Sequence, residues 1–263
     1  MGQENRPLVP KLGQENRPLV PCVFWVMGIF IYTVGEVELA MAVRRLPGNR
    51  ERRGCLNQEK GIIDGVGEFG IPELWPEYDV AGVEKWISFN EVGGCSVPER
   101  TGVHFFIEDH LFERVWSRPE RYYGALAKFA AVCTPDFSPF SDFPKACQVW
   151  NHYRKHWCGW WWQQNGVKVV PTVTWSSPET LEWAFDGEPV GGVVAISSVG
   201  MFDTKEHERW LIDGYEEMVR RLKPVKVLWK GRVPERYEGD GRIQRIESSH
   251  LERLHGLNGK ECE

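Results

Sequence analysis

From about residue 85 onward the chain alternates short apolar runs, rich in β-branched residues, with stretches of helical periodicity. The runs occupy 86–89, 103–107, 130–133, 167–173, 192–196, 225–229 and 243–246, and 66–74 is an eighth with a weaker pattern. Between Pro144 and Asn165-Gly166, the residues Ala146, Val149, Trp150, Tyr153, Trp157, Trp160 and Trp161 recur at steps of three and four, the spacing of one helix face. His207, Leu211, Tyr215, Met218 and Leu222 make a second stripe, opened by Asp203 with Glu206 as a capping box and stopped at Lys223-Pro224. Ser177-Pro178 opens a shorter helix, and Ser249 with Glu252 a last one.

Strand–helix alternation is the grammar of right-handed βαβ units. It predicts an α/β protein on a mostly parallel sheet: an irregular TIM-like barrel first, an open doubly wound sheet as the alternative. Two features make the barrel irregular. The connections before 86 and 103 leave little room for a crossover helix, and Pro171 sits in a run that would be a central strand, where it loses a ladder hydrogen bond. The first part is therefore expected to be degenerate or antiparallel. The same reading divides the chain into a poorly structured extension (1–60), a single α/β domain (61–256) and a tail (257–263).

With 263 residues the chain is shorter than two domains of about 150. Apolar residues at 42% and charged ones at 26% exclude a disordered or collagen-like chain, and 13 Trp require a substantial core or a large binding surface. A net charge of −5 argues against nucleic acid as a partner held by bulk electrostatics, without excluding it. Seven widely spaced cysteines with no C-x-x-C pair form neither a disulfide framework nor a zinc ribbon, so a reducing cytoplasm is the simplest setting. At the start, GQENRPLVP occurs at 2–10 and again at 13–21, followed by an apolar run at 22–34 that is too short for a membrane-spanning helix of about 20 residues. Three readings stand there: translated upstream DNA with the true start near Met27 or Met41, a first core strand behind a disordered tail, or an export or membrane signal. No membrane partner is expected of the domain itself.

Several motifs carry a resemblance. They are His104-Phe105-Phe106-Ile107-Glu108-Asp109, Phe112-Glu113-Arg114-Val115-Trp116, Pro119-Glu120-Arg121-Tyr122, Thr134-Pro135-Asp136-Phe137-Ser138, Trp150-Asn151-His152-Tyr153-Arg154 and Val170-Pro171-Thr172-Val173-Thr174-Trp175. Together they resemble the domain-of-unknown-function family numbered forty-four seventeen, of phages, mobile elements and bacteria, over roughly 67–247. The resemblance implies a phage or mobile-element setting and an intracellular protein, and transfers no catalytic residues. His156 stands where the family pattern suggests a residue more like Arg, so the resemblance lends no support to a His-x-x-x-His metal site.

Parallel α/β folds bind ligands at the carboxyl ends of their strands. The residues after the runs are Asn90-Glu91, Glu108-Asp109, Asp136, Trp175, Ser197-Ser198, Lys230-Gly231 and Glu247-Ser248. Carboxylates sharing one mouth are the equipment of acid/base chemistry, which makes Asp109, Asp136 and Glu247 the catalytic candidates. Asp109 and Asp136 end consecutive strands, about 5 Å apart by strand spacing, and crowding would keep a proton on one of them. The competing reading has Asp136 capping a turn with its side chain. Lys230 with Ser248 forms a candidate anion clamp, Trp175 a stacking surface, and Ser198 and Arg154 further substrate contacts. Arg154 could also pair with a carboxylate of a neighbouring element.

His152 and His156 have zinc-ligand spacing, but no third ligand is visible beside them, which favours a solvated or packing role and no metal. Trp157, Trp160, Trp161 and Trp162 read as packing rather than as a stacking platform. No G-x-G-x-x-G, P-loop or G-x-S-x-G occurs, so dinucleotide, Walker-type and α/β-hydrolase chemistry have no footing. The expected ligand is a small sugar, nucleoside or nucleotide handled by an enzyme. The alternative is a non-catalytic phage-encoded binding protein with an aromatic surface around Trp157 and Trp162. Cofactor, reaction and oligomeric state are left unassigned.

Overall fold

The computed structural model describes residues 56–61 and 63–247. Seven strands run through them: β1 (Lys85–Ser88), β2 (Thr101–His104), β3 (Ala131–Cys133), β4 (Val169–Val170), β5 (Val193–Ser197), β6 (Lys226–Lys230) and β7 (Ile243–Ile246). Four helices accompany them: α1 (Asp109–Ser117), α2 (Pro119–Leu126), α3 (Lys145–Gln164) and α4 (Lys205–Leu222). β1-β2-β3-β4 form one parallel sheet and β5-β6-β7 another, each strand beside its sequence neighbour. The fold is thus mixed α/β with parallel sheets. The readings of 1–55, of the helix opened by Ser249 and of the tail lie outside the described residues.

Pro171 explains the break between the sheets. It has no N–H for the ladder, so β4 stops at Val170 and the predicted run 167–173 shrinks to two residues. Beyond it the chain changes partner. Thr172 bridges Ala195 in parallel, Ala195 N–H donates to the Pro171 carbonyl at 2.8 Å, and Val173 N–H to the Ala195 carbonyl at 2.8 Å. The Thr172 N–H turns aside to Thr134 Oγ1 at 2.8 Å.

The start of the sheet is parallel, not antiparallel, and no α-helix connects its first two strands. β1 and β2 pair in parallel from Lys85–Thr101 to Ser88–His104. The connection 89–100 manages the crossover with two 3₁₀ turns, Phe89–Gly94 and Pro98–Arg100, at about the minimum length a parallel pair needs. Ser88 and Glu91 cap the first turn reciprocally. The eighth candidate, 66–74, is no strand: Val66 and Ile71 form an isolated antiparallel bridge around a tight turn with Gly67 and Gly70 at positive φ.

Both long helices follow their stripes. α3 ends at Asn165, with Gly166 at φ +81°. α4 is capped by Thr204, whose Oγ1 accepts the His207 N–H, one residue later than the expected Asp203. On one face of the first sheet, Val103, Phe105, Val132 and Val169 pack under Phe112, Val115, Trp157 and Trp162 of α1 and α3. Val194, Ile196, Val227 and Trp229 pack under Leu211, Tyr215 and Met218 of α4. The opposite faces of both sheets share a third cluster of Trp86, Ala131, Cys133, Val170, Ala195, Leu228 and Ile246. β2 joins it through Gly102, where an added Cβ would lie 2.4 Å from the Trp86 ring. Among the described residues no helix is long and apolar enough to cross a membrane.

Candidate functional site

β3 leads through Thr134-Pro135 into the turn Asp136-Phe137-Ser138, and two helices clamp that turn. Asp109, the first residue of α1, accepts the Ser138 N–H and the Ser138 hydroxyl, both at 3.0 Å. Asn151 of α3 donates to the Ser138 carbonyl at 2.7 Å. Arg154 lies 3.7 Å over the buried Phe137 ring, donates to Asn151 Oδ1 at 3.0 Å and grips both oxygens of Glu113 at 2.7 and 2.6 Å. The expected pairing of Arg154 with a neighbouring carboxylate is present, and its place is behind the turn.

The two aspartates divide the work otherwise than the spacing suggested. Asp109 holds the turn. Asp136 is half-buried, and its Oδ1 is buried with no hydrogen-bond partner. Burial first and the Asp109 charge second push the Asp136 carboxyl up to about 7, against an opposing pull from Lys155. Burial also raises Asp109, offset by the Ser138 hydrogen bonds and by Arg154. Asp109→Ala should therefore loosen the turn and cost about 1.5–3 kcal/mol in a denaturant titration, the range for hydrogen bonds to a charged group. The same variant should lower the pKa of Asp136.

Asp136 faces a cleft of about 290 Å³ at the carboxyl ends of β3, β4 and β5, closed on one side by α4. Phe140, Trp175, His207 and Trp210 supply aromatic walls, and Ser138, Ser141, Ser176 and Ser197 supply polar ones. Trp175 is fixed in place, its Nε1–H donating to the Trp210 carbonyl at 3.0 Å. Its indole rests on Gly214, where a Cβ would fall 2.0 Å from Trp175 Nε1. Gly214→Ala should push the ring out of position and cost about 1–3 kcal/mol, read as a lowered melting temperature.

The other sequence candidates stand apart from this cleft. Ser198 is buried: its Oγ donates to the Arg232 carbonyl at 2.6 Å and accepts the Trp229 indole N–H at 3.1 Å. Strand alternation puts Ser197 in the cleft in its stead. Lys230 Nζ donates to the Glu247 carbonyl at 2.9 Å, and neither residue lines the cleft. Ser248 lies outside the described residues. Among those described, no Lys or Arg lines the cleft, so the anion clamp is not assembled there. Trp157 and Trp162 are buried in the core and form no aromatic surface. His104, at the end of β2, is pushed down to about 3 by burial and then by Lys230, with Glu91 opposing. It stays neutral.

α3 carries a further polar group. Lys155 is fully buried and donates to Glu188 Oε1 and to the Thr172 carbonyl, both at 2.8 Å. His152 and His156 are buried too, not solvated, with Glu188 beside them. The carboxylate that the neighbouring sequence lacks arrives from 32 residues beyond His156. No local periodicity announces it.

The model of the family described as Domain of unknown function (DUF4417) matches residues 63–246. The chain is 42% identical over 131 residues to the Gene 1 protein of Mycobacterium phage L5, covering 50% of this chain and 57% of the phage protein. It is 41% identical over 166 residues to the Gene 1 protein of Mycobacterium phage D29, covering 63% and 61% respectively. The chain thus spans about three fifths of the length of the curated relatives it matches. No solved structure matches it.

Proposed function

The chain belongs to the DUF4417 family, and from that premise we propose that this member is an enzyme that takes a neutral sugar or nucleoside into the strand-end cleft and works on it by proton transfer through Asp136. The observation that carries the reading is a carboxyl whose buried Oδ1 has no hydrogen-bond partner, pushed up to about 7, facing an aromatic cleft. A general acid is most effective when its pKa lies near the working pH. Asp136 gives its proton to a ligand oxygen or ring nitrogen and recovers it afterwards. His207 lines the same cleft as the second proton-transfer group. Asp109, Asn151 and Arg154 position the turn rather than touch the ligand. Trp175, Trp210 and Phe140 suit the apolar face of a sugar or base, and the serine hydroxyls its edge. A cleft lined by no Lys or Arg among the described residues favours the neutral ligand over a nucleotide.

We read the scaffold as the irregular TIM-like barrel. Support comes from the shared inner cluster, to which strands of both sheets contribute. Further support comes from His104 at the end of β2 feeling the charge of Lys230 at the end of β6. In a flat continuous sheet four strand spacings would part them by about 19 Å. Free thiols at Cys95, Cys133, Cys147 and Cys158 and the phage relatives favour a cytoplasmic protein, and the charge of −5 favours no nucleic-acid partner.

The test is a thermal-shift panel on the full chain with nucleosides, free sugars and their phosphates. A neutral sugar or nucleoside should raise the melting temperature, and Trp210→Ala should abolish the rise. A response to phosphorylated ligands alone, or to none of the panel, contradicts the proposal. A ligand that binds and is recovered unchanged points to the non-catalytic binding protein.

A further inference from the structure

We propose that His152, His156 and Glu188 form a buried site for a transition-metal dication of the zinc class, independent of the cleft chemistry. The argument starts from which nitrogen of each ring holds the proton. His152 Nε2 lies 3.0 Å from the Asp186 carbonyl, and His156 Nδ1 lies 2.9 Å from the Pro72 carbonyl. A carbonyl only accepts, so the neutral His152 ring directs its single N–H to Asp186, and His152 Nδ1 is left as a bare lone pair. His156 faces an acceptor at each nitrogen, the Pro72 carbonyl and Glu188 Oε1, and with its one N–H on Nδ1 the Nε2 lone pair points inward as well. An imidazole fixed by a backbone carbonyl at its far nitrogen is the usual setting of a metal-binding histidine.

Those lone pairs converge with the carboxylate. One ligand atom from each of the three residues lies within 4.8 Å of the others, and all three residues are buried. His152 Nδ1 and Glu188 Oε2 are buried with no hydrogen-bond partner. His156 Nε2 sits 3.0 Å from Glu188 Oε1, and the ring's one N–H cannot serve Pro72 and Glu188 together. A bound cation takes the Nε2 lone pair while Nδ1–H stays on Pro72, and it engages both orphaned atoms, His152 Nδ1 and Glu188 Oε2. Two imidazoles and a carboxylate are a donor set that holds zinc at about 2.0–2.2 Å, with ligand atoms about 3.4 Å apart in a tetrahedron. The three side chains would close inward by about an ångström to reach that geometry. Thr172 and Glu188 already hold the Lys155 ammonium, so Glu188 would serve Lys155 through Oε1 and the metal through Oε2. Lys155 then competes electrostatically with the metal, and Lys155→Met should tighten zinc binding by about tenfold or more.

The experiment is elemental analysis of the tag-free full chain purified without chelator, followed by Zn²⁺ addition to chelated protein. About one zinc per chain is expected, with a raised melting temperature on Zn²⁺ addition. Glu188→Gln and His152→Ala, judged folded by circular dichroism, should each lower zinc affinity by at least about tenfold. Should both variants fail to fold, the zinc content and Zn²⁺ response of the parent chain decide. A parent chain that carries no zinc and does not respond to Zn²⁺ overturns the proposal. So does zinc retained at full stoichiometry by both folded variants, or stabilisation by Mg²⁺ alone.

Discussion

Replacing Asp136 with Asn should leave the protein more stable than its parent at pH 8 while lowering turnover of a cleft ligand by about 10²–10⁴-fold. The stability gain follows from the direction of the pKa shift. The carboxyl rises from an ordinary 3.8 to about 7 on folding. Below pH 4 it is protonated in both folded and unfolded chains and contributes nothing to the balance. Between about 4 and 7 the unfolded chain gives up the proton that the folded chain keeps, so stability falls as pH rises. Above 7 the deficit is complete, on the order of 2–4 kcal/mol. Asn carries no charge and escapes it. Parent and variant should thus melt together near pH 4 and separate by several degrees at pH 8, the variant higher. A variant that melts lower at every pH would instead make Asp136 a structural member of the turn.

The largest loss of stability should come from Lys155→Met in metal-free protein. The ammonium is fully buried, and its removal leaves the Glu188 carboxylate buried with only His156 as an ion-pair partner among the described residues. Breaking one side of such a pair costs about 3–5 kcal/mol, whereas removing both charges costs far less. At about 2–4 °C per kcal/mol for a domain of this size, the single variant should melt about 10 °C lower. Lys155→Met with Glu188→Leu should regain most of that. Urea midpoints measured in chelator give the comparison, and a single variant within about 1 kcal/mol of the parent contradicts it. Added zinc should partly rescue the single variant, because the ion replaces the lost charge.

Much of this arrangement was legible before coordinates, for identifiable reasons. The parallel α/β class follows from strand–helix alternation, and the carboxyl-end rule points to residues that line the cleft, because a parallel sheet gathers its strand ends on one rim. Asp136 and Trp175, named by that rule, both line the cleft. Role assignment was not legible. Whether Asp109 or Asp136 holds the turn depends on where the Ser138 N–H points, which α1 and α3 decide together. Of the pair Ser197-Ser198, the choice falls on Ser198 because β5, Val193–Ser197, is apolar on both faces and shows no alternation to set its parity. Lys230 and Glu247 satisfy each other through a backbone carbonyl, which residue types do not reveal. Glu188 reaches His156 from 32 residues further along the chain, across β4, beyond the reach of any local pattern. Pro171 was recognised as an obstacle, and its consequence, a change of partner from β3 to β5, needed the tertiary fold.

The most direct test of the account is a ¹³C NMR titration of the aspartate carboxyls in the parent chain and in Asp136→Asn. One carboxyl resonance should titrate near pH 7 in the parent and be missing from the variant. If every aspartate in the parent titrates in the ordinary range near 4, Asp136 is not a proton donor at neutral pH and the cleft loses its chemistry.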